Sequence, residues 1–413
     1  MLPIKLSIAL MLLSSALSAE QSVCTQIEVK KLTAAQSKPN DFFGFSMALS
    51  DDRLLVGAQG NSDETLSDTV TIFRQSGDEW GRETTIEVDD GVVGDDFGGS
   101  VALGPGLAVV GARRHDARGA DAGAVYLFEN DRLTWRRLNK LTASDAAPGD
   151  EFGYSVAIDG KTIAVGAPRK DSMGDDAGAV YIFEDKGGEW QQTAVLLAPD
   201  RAPGDVFGIS LSLSKDHILV GADLTDEGGE NAGSAYIFEQ IDGTWQFETK
   251  LTASDSDAGD LFGIRVKLNG DRALIGAARD DEAAENAGAA YIFERTNNGW
   301  QQDTKIVAPD ATKDDRFGTR VAISGKTVIV GSILSNIEGT DVGAAYVFRQ
   351  SDQSWQFTRK LIPSDGKTED VFGWAVAVNG DTVAVGAPTF IVTKPGNAGG
   401  AYLYDLSAGG CAK

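Results

Sequence analysis

From residue 43 onward, apolar and polar positions alternate in short runs separated by loops rich in Gly, Asp and Asn. Residues 207–253 carry the pattern in full. FGISLSLS (207–214) alternates like a half-buried strand, HILVGAD (217–223) is a second apolar run, and an acidic loop follows. AGSAYIFE (232–239) is a third run and WQFETKLTA (245–253) a fourth. Period-two alternation bounded by turn residues predicts strands. Past the first nineteen residues, no stretch carries apolar residues at helical spacing over three turns. Between first and second runs lie Asp159-Gly160, Asn269-Gly270, Ser324-Gly325 and Asn379-Gly380, pairs that supply the positive φ angles of a tight hairpin.

The four-run unit repeats. Phe-Gly pairs open it at Phe43, Phe97, Phe152, Phe207, Phe262, Phe317 and Phe372, with one step of 54 residues and five of 55. Self-similarity at such a period signals a propeller or a solenoid. Four antiparallel strands per unit without helices predict blades set radially round a channel, since a β-helix needs shorter coils. The expected fold is therefore all-β, a seven-bladed β-propeller of four-stranded antiparallel blades. The last unit ends at GGAYLYD (399–405) without a tryptophan strand, whereas TQIEVKKLTA (25–34) matches WQFETKLTA and leads into the first unit. The N-terminal strand is expected to complete blade seven and close the ring. The same alignment puts Cys24 and Cys411 in one hairpin, two positions apart across the chain break, so a Cys24–Cys411 disulfide is expected there.

These residues resemble the FG-GAP repeats of integrin-α-like β-propellers, in the variant found in exported bacterial proteins. Phe152-Gly153 followed by Val165-Gly166-Ala167-Pro168 carries the pattern most plainly, and Val385-Gly386-Ala387-Pro388 repeats it. The other units hold Val56-Gly57-Ala58, Val110-Gly111-Ala112, Val220-Gly221-Ala222, Ile275-Gly276-Ala277 and Val330-Gly331-Ser332. The resemblance covers nearly the whole chain after residue 19. It implies the fold and says little about activity, because propellers host many unrelated functions. The family's calcium loops lie between first and second strands; here those connections have shrunk to two-residue turns and no DxDxDG-type run occurs, so that calcium site is not carried over.

The first nineteen residues, MLPIKLSIALMLLSSALSA, join one lysine to an apolar stretch and a small-residue end, the pattern of a secretory signal peptide over 1–19, with the propeller over 20–413. No lipobox precedes Cys24, and no later segment is apolar enough to span a bilayer. A secreted or periplasmic monomer is expected, in a compartment that permits a disulfide. Lys and Arg total 37 against 61 Asp and Glu, a formal charge of −24, which excludes nucleic acid and anionic membrane surfaces as expected partners.

Long acidic loops gather on one face of the disc, the face shared by the second-to-third-strand loops and the interblade loops. Asp145 and Asp150 with Asp171 and Asp175 are the candidate cation ligands there, with calcium the hard ion that oxygen ligands would favour; solvated turns are the competing reading. Positions that break the repeat are the better guide. The third residue after each Phe is Ser or Ala except at Arg265 and Arg320, and the residue before it is Trp374 in the last unit. Arg265, Arg320 and Trp374 are candidates for a carboxylate or an acidic glycan group. With only His115 and His217, neither near an obvious Ser or Cys partner, no catalytic constellation is identifiable. The expected function is non-catalytic binding or scaffolding, with a protein or a glycan as partner and no cofactor. The alternative is a propeller lectin using Trp374, Tyr154 and Phe390 as aromatic platforms.

Overall fold

The computed structural model describes residues 24–34, 41–59, 68–131, 134–172, 174–337, 340–352, 354–389 and 398–407. The signal segment 1–19, Phe390 and Cys411 lie outside the described residues. Seven antiparallel sheets follow one another, each with its four strands in spatial order. Blade four runs Ser210–Ser214, His217–Ala222, Ser234–Ile241 and Thr244–Leu251, innermost strand first. No helix among the described residues is long and apolar enough to cross a membrane.

The core lies between blades. One cluster joins Val180, Ile182 and Leu196 of blade three to Phe207, Val220 and Tyr236 of blade four, and equivalent clusters occupy the other seams. Each Phe of a Phe-Gly pair is fully buried at its seam; Phe207 meets Tyr236 and Phe238 edge-on with ring centroids 5.4 and 6.0 Å apart. The two motif glycines have a joint reason. Gly208 takes φ 97°, a conformation that favours glycine. Its carbonyl oxygen lies where a Cβ on Gly166 of the preceding blade would sit, 2.2 Å away. The Phe-Gly and Val-Gly-Ala motifs are thus two halves of one backbone contact between neighbouring blades.

The Asp before each Phe-Gly holds the interblade loop. Asp95, Asp150, Asp205, Asp260, Asp315 and Asp370 each accept a hydrogen bond from the amide three residues earlier, at 2.6–2.9 Å. The residues before Ala-Gly are turn formers: Asp121, Asp176, Asn231 and Asn286 take φ between 50° and 56°.

Ring closure follows the expected route. Lys30–Leu32 pairs antiparallel with Gly400–Asp405 as the outer strand of blade seven. Two details differ from the sequence reading. Thr25–Gln26 leaves blade seven and runs parallel to Ser354–Leu361, the outer strand of blade six, so that the Cys24 carbonyl accepts from Lys360 N and the Gln26 carbonyl from Ile362 N. Gln26 stands where other blades have tryptophan. Its amide donates to the Asp405 carbonyl and accepts from Arg359, bridging blades seven and six as an indole would not. Cys24 therefore sits at the edge of blade six rather than in the blade-seven hairpin.

The second difference concerns the hairpins. Asp159 pairs with Thr162, so the loop is Gly160-Lys161 and only the glycine has positive φ, 56°. Asp159 instead accepts from Lys215 N of the next blade's turn, and Asn269 from Gly325 N. These side chains tie neighbouring blades together at the turns.

Candidate functional site

The loop-rich face supplies its own cations. A lysine of the fourth strand lies over the tyrosine ring of the third and pairs with an aspartate from the preceding interblade loop. Lys250 sits 5.3 Å from the Tyr236 ring centre and 2.7 Å from Asp200, Lys305 pairs with Asp255 at 2.6 Å, and Lys31 with Asp365 at 2.6 Å. Burial works against ionisation of Asp200, Asp255 and Asp365, but the lysine contacts prevail and hold all three below the usual carboxylate range.

Blade three has Val195 at the lysine position. There Lys170 reaches across from the second-to-third-strand loop, 3.0 Å from Asp150, 3.6 Å from the Asp145 carboxylate and 2.7 Å from its carbonyl. The cation between Asp145 and Asp150 is the chain's own ammonium. Asp171 accepts from Asp176 N at 3.0 Å and the Asp175 carbonyl accepts from Gly204 N at 2.9 Å, both as turn residues. Millimolar calcium, compared with EDTA, is accordingly expected to leave the melting temperature unchanged. A rise of several degrees in a thermal-shift titration would show a cation site that this arrangement does not provide.

The central channel differs. Seven innermost strands line it, and their third residues after Phe are Ser46, Ser100, Ser155, Ser210, Arg265, Arg320 and Ala375. The first three hydroxyls donate to carbonyls of the next blade, Ser46 to Gly98 at 2.6 Å for example. Arg265 and Arg320 replace that interblade tie. Each spends one N–H on the carbonyl of the residue before it, Ile264 at 2.6 Å and Thr319 at 2.9 Å. Neither forms an ion pair with a carboxylate among the described residues. Arg320 lies 4.4 Å from the centre of the Trp374 ring, which packs against Phe45 at 5.5 Å. The three candidates from blades five, six and seven are therefore one cluster. It walls a cavity of about 310 Å³ at the channel mouth on the loop-rich face.

Confinement, and then the neighbouring Arg265 charge, push the Arg320 guanidinium well below its ordinary value. Guanidinium groups keep their charge in proteins, so two like charges stand close together at the mouth.

Two further residues of the mouth escaped the sequence reading. Arg113 lies 4.9 Å over the Tyr154 ring and pairs with Asp96 at 2.7 Å. Asp223 is buried, and one of its oxygens has no hydrogen-bond partner among the described residues. Both occupy the residue after the second strand's Gly-Ala, filled elsewhere by Gln59, Pro168, Ala278, Ile333 and Pro388, and that variation was the available signal. Burial pushes Asp223 up to about 6, although Arg265 and Arg279 pull the other way. The folded value exceeds the ordinary one near 4, so the ionised form carries a penalty that is complete above pH 6 and gone below pH 4. Asp223→Asn is expected to raise unfolding free energy by on the order of 2 kcal/mol at pH 7.5, with the gain vanishing at pH 4. Urea denaturation at the two pH values checks this, and a gain that grows toward acid would contradict it.

The histidines sit elsewhere. His217 lies 2.7 Å from Asp216 and 3.5 Å from both Glu239 and Glu248, with Trp300 of the next blade beside it. Asp216, His217 and Glu239 place ligand-type atoms within 4.8 Å of one another, but Arg295 already pairs with Glu239 at 2.9 Å. Blades one and five fill the same position with Arg53 and Arg272, each stacked on the next blade's tryptophan, so His217 belongs to an interblade staple.

A crystal structure of Sqt1 from Saccharomyces cerevisiae is similar in fold, with a TM-score of 0.51 at 11% identity over 94% of this chain and 88% of that one. No curated protein sequence matches the chain. The FG-GAP repeat model matches residues 27–73, 80–128, 135–183, 190–238, 245–293, 300–348 and 355–404. Each match begins in an outer strand, or for the first just before Lys30–Leu32, and ends in the third strand of the next blade, so every sequence repeat bridges two blades. On these seven matches, which take in most of its length, the chain belongs to the FG-GAP repeat family.

Proposed function

We propose that this chain is an exported, non-catalytic binding protein, a scaffold or adhesion module that docks an anionic group of its partner at the channel mouth on the loop-rich face. The observation that carries the reading is the pair Arg265 and Arg320. In a chain with formal charge −24, carboxylates are abundant, yet none is paired with these two guanidiniums among the described residues. Their planar forks match a carboxylate bidentately, and Trp374 supplies a stacking wall. The histidine surroundings favour a non-catalytic role, since His115 leans on Lys140 at 2.8 Å and His217 on carboxylates. The leader pattern at 1–19 supports export.

A sugar-binding reading needs free aromatic faces. Arg320 covers Trp374 and Arg113 covers Tyr154, which disfavours neutral sugars. The test is a binding panel of neutral glycans, acidic glycans and acidic peptides against the native chain, the Arg265→Ala/Arg320→Ala double variant and Trp374→Ala. The reading predicts that only anionic members bind and that the double variant loses them. Neutral glycans bound by the double variant and lost in Trp374→Ala would establish a lectin instead.

A further inference from the structure

The channel behind the mouth carries a third cation. Lys267 stands two residues beyond Arg265 on the innermost strand of blade five, at a position held by Ala48, Ala102, Ala157, Ser212, Ala322 and Ala377 in the other blades. Residues two apart on a strand project to the same side. Arg265 and Lys267 line one continuous passage: a cavity of about 150 Å³, walled by innermost strands of all seven blades, includes both and shares Arg265, Arg320 and Tyr154 with the mouth. Lys267 is exposed to the channel interior, ringed by innermost strands of all seven blades, and it forms no ion pair among the described residues. Confinement and the Arg265 charge push its ammonium below the ordinary value. Two residues of strand separate the cationic levels by roughly 6–7 Å. Met47, Val101 and Val156, at the register between, pack into the interblade seams, and the residues that share the Lys267 level are the small Ala48, Ala102, Ala157, Ala322 and Ala377.

We infer that the channel is a two-point anion site. Arg265 and Arg320 grip one carboxylate at the mouth, and Lys267 meets a second one two strand residues further in. The ligand class is a slender dicarboxylate, either a small molecule or a chain end whose terminal and side-chain carboxylates enter together. The spacing of the two cationic levels, with only small side chains from most other blades beside Lys267, argues for this over a single compact anion. The inference rests on the mouth reading proposed above and extends it inward.

Isothermal titration of the full chain at constant ionic strength, with acetate, adipate and a short peptide ending in glutamate, tests it. Adipate is expected to bind at least about tenfold more tightly than acetate. Lys267→Gln is expected to bring adipate to within about twofold of acetate, and Lys267→Arg to restore most of the difference. Peptide binding tighter than that of adipate assigns the ligand as a chain end; weaker binding assigns a small molecule. If acetate binds saturably, is lost in Arg265→Ala/Arg320→Ala, and adipate gains nothing over it, the two-point site is wrong and the mouth reading stands. If no anion binds saturably, both fail.

Discussion

Removing the N-terminal strand, by starting the mature chain after Leu32, is expected to cost at least about 5 kcal/mol, a large share of the net stability of a folded domain. Leu32 is buried at the seam where blade seven meets blade one, in a cluster with Leu403, Phe43 and Trp80. Deleting a buried leucine alone costs about 2–5 kcal/mol. The strand also carries Lys30, which donates to the Trp80 carbonyl at 2.6 Å, and Lys31 with its Asp365 contact. Among the described residues no other strand covers the Gly400–Asp405 edge, so its backbone groups and the Leu32 side of the blade-seven-to-one seam open to water. The melting temperature is expected to fall by about 10 °C or more. Leu32→Asp, which keeps the chain length, should fall most of that way. A truncated protein melting within about 2 °C of the native one would mean that the ring does not depend on this closure. Non-reducing peptide mapping of the exported protein addresses the Cys24–Cys411 bridge, whose second partner lies outside the described residues; two free thiols would rule it out.

Gly221→Ala is expected to cost about 3 kcal/mol, far more than a methyl group suggests. A Cβ there would lie 2.0 Å from the Gly263 carbonyl oxygen and 3.0 Å from its carbon. Both are backbone atoms of the adjoining blade, so no side chain can swing aside, and overpacking of this kind costs about 1–3 kcal/mol or more. Gly81→Ala is the control. Its Cβ meets nothing within 4 Å, and the change is expected to be neutral or to stabilise by up to about 1 kcal/mol. Chemical denaturation of the two variants decides the matter. Equal effects would deny that the motif glycines exist for blade-to-blade approach.

Blade number, strand order and ring closure were legible in the sequence because each follows from a repeated local pattern: alternation for strands, the Phe-Gly spacing for blades, a missing tryptophan strand for the closure. The departures occur where non-local contacts decide. The sequence match runs unbroken through Thr25, but only the presence of Arg359 and the Asp405 carbonyl explains why Gln26 turns toward blade six. Asp159 and Asn269 look like loop residues, and their hydrogen bonds go to turns 56 residues on.

The site was legible in part for a related reason. Arg265, Arg320 and Trp374 stood out as breaks in the repeat at adjacent positions, and the fold brings them together. Lys267 breaks the repeat just as clearly, two residues on. Recognising it required knowing that alternate residues of the innermost strand share the channel. For Asp145 and Asp150 the sequence could not say that Lys170, from another loop, stands between them.

The most direct test of the account is the emission of Trp374, isolated as the difference between native and Trp374→Phe protein, as adipate is added at constant ionic strength. Arg320 stacks on that ring, so an anion seated on the arginine pair must change its surroundings. The account predicts a saturable change that disappears in Arg265→Ala/Arg320→Ala. A flat difference signal in the native chain, or the same saturable change in the double variant, would contradict it.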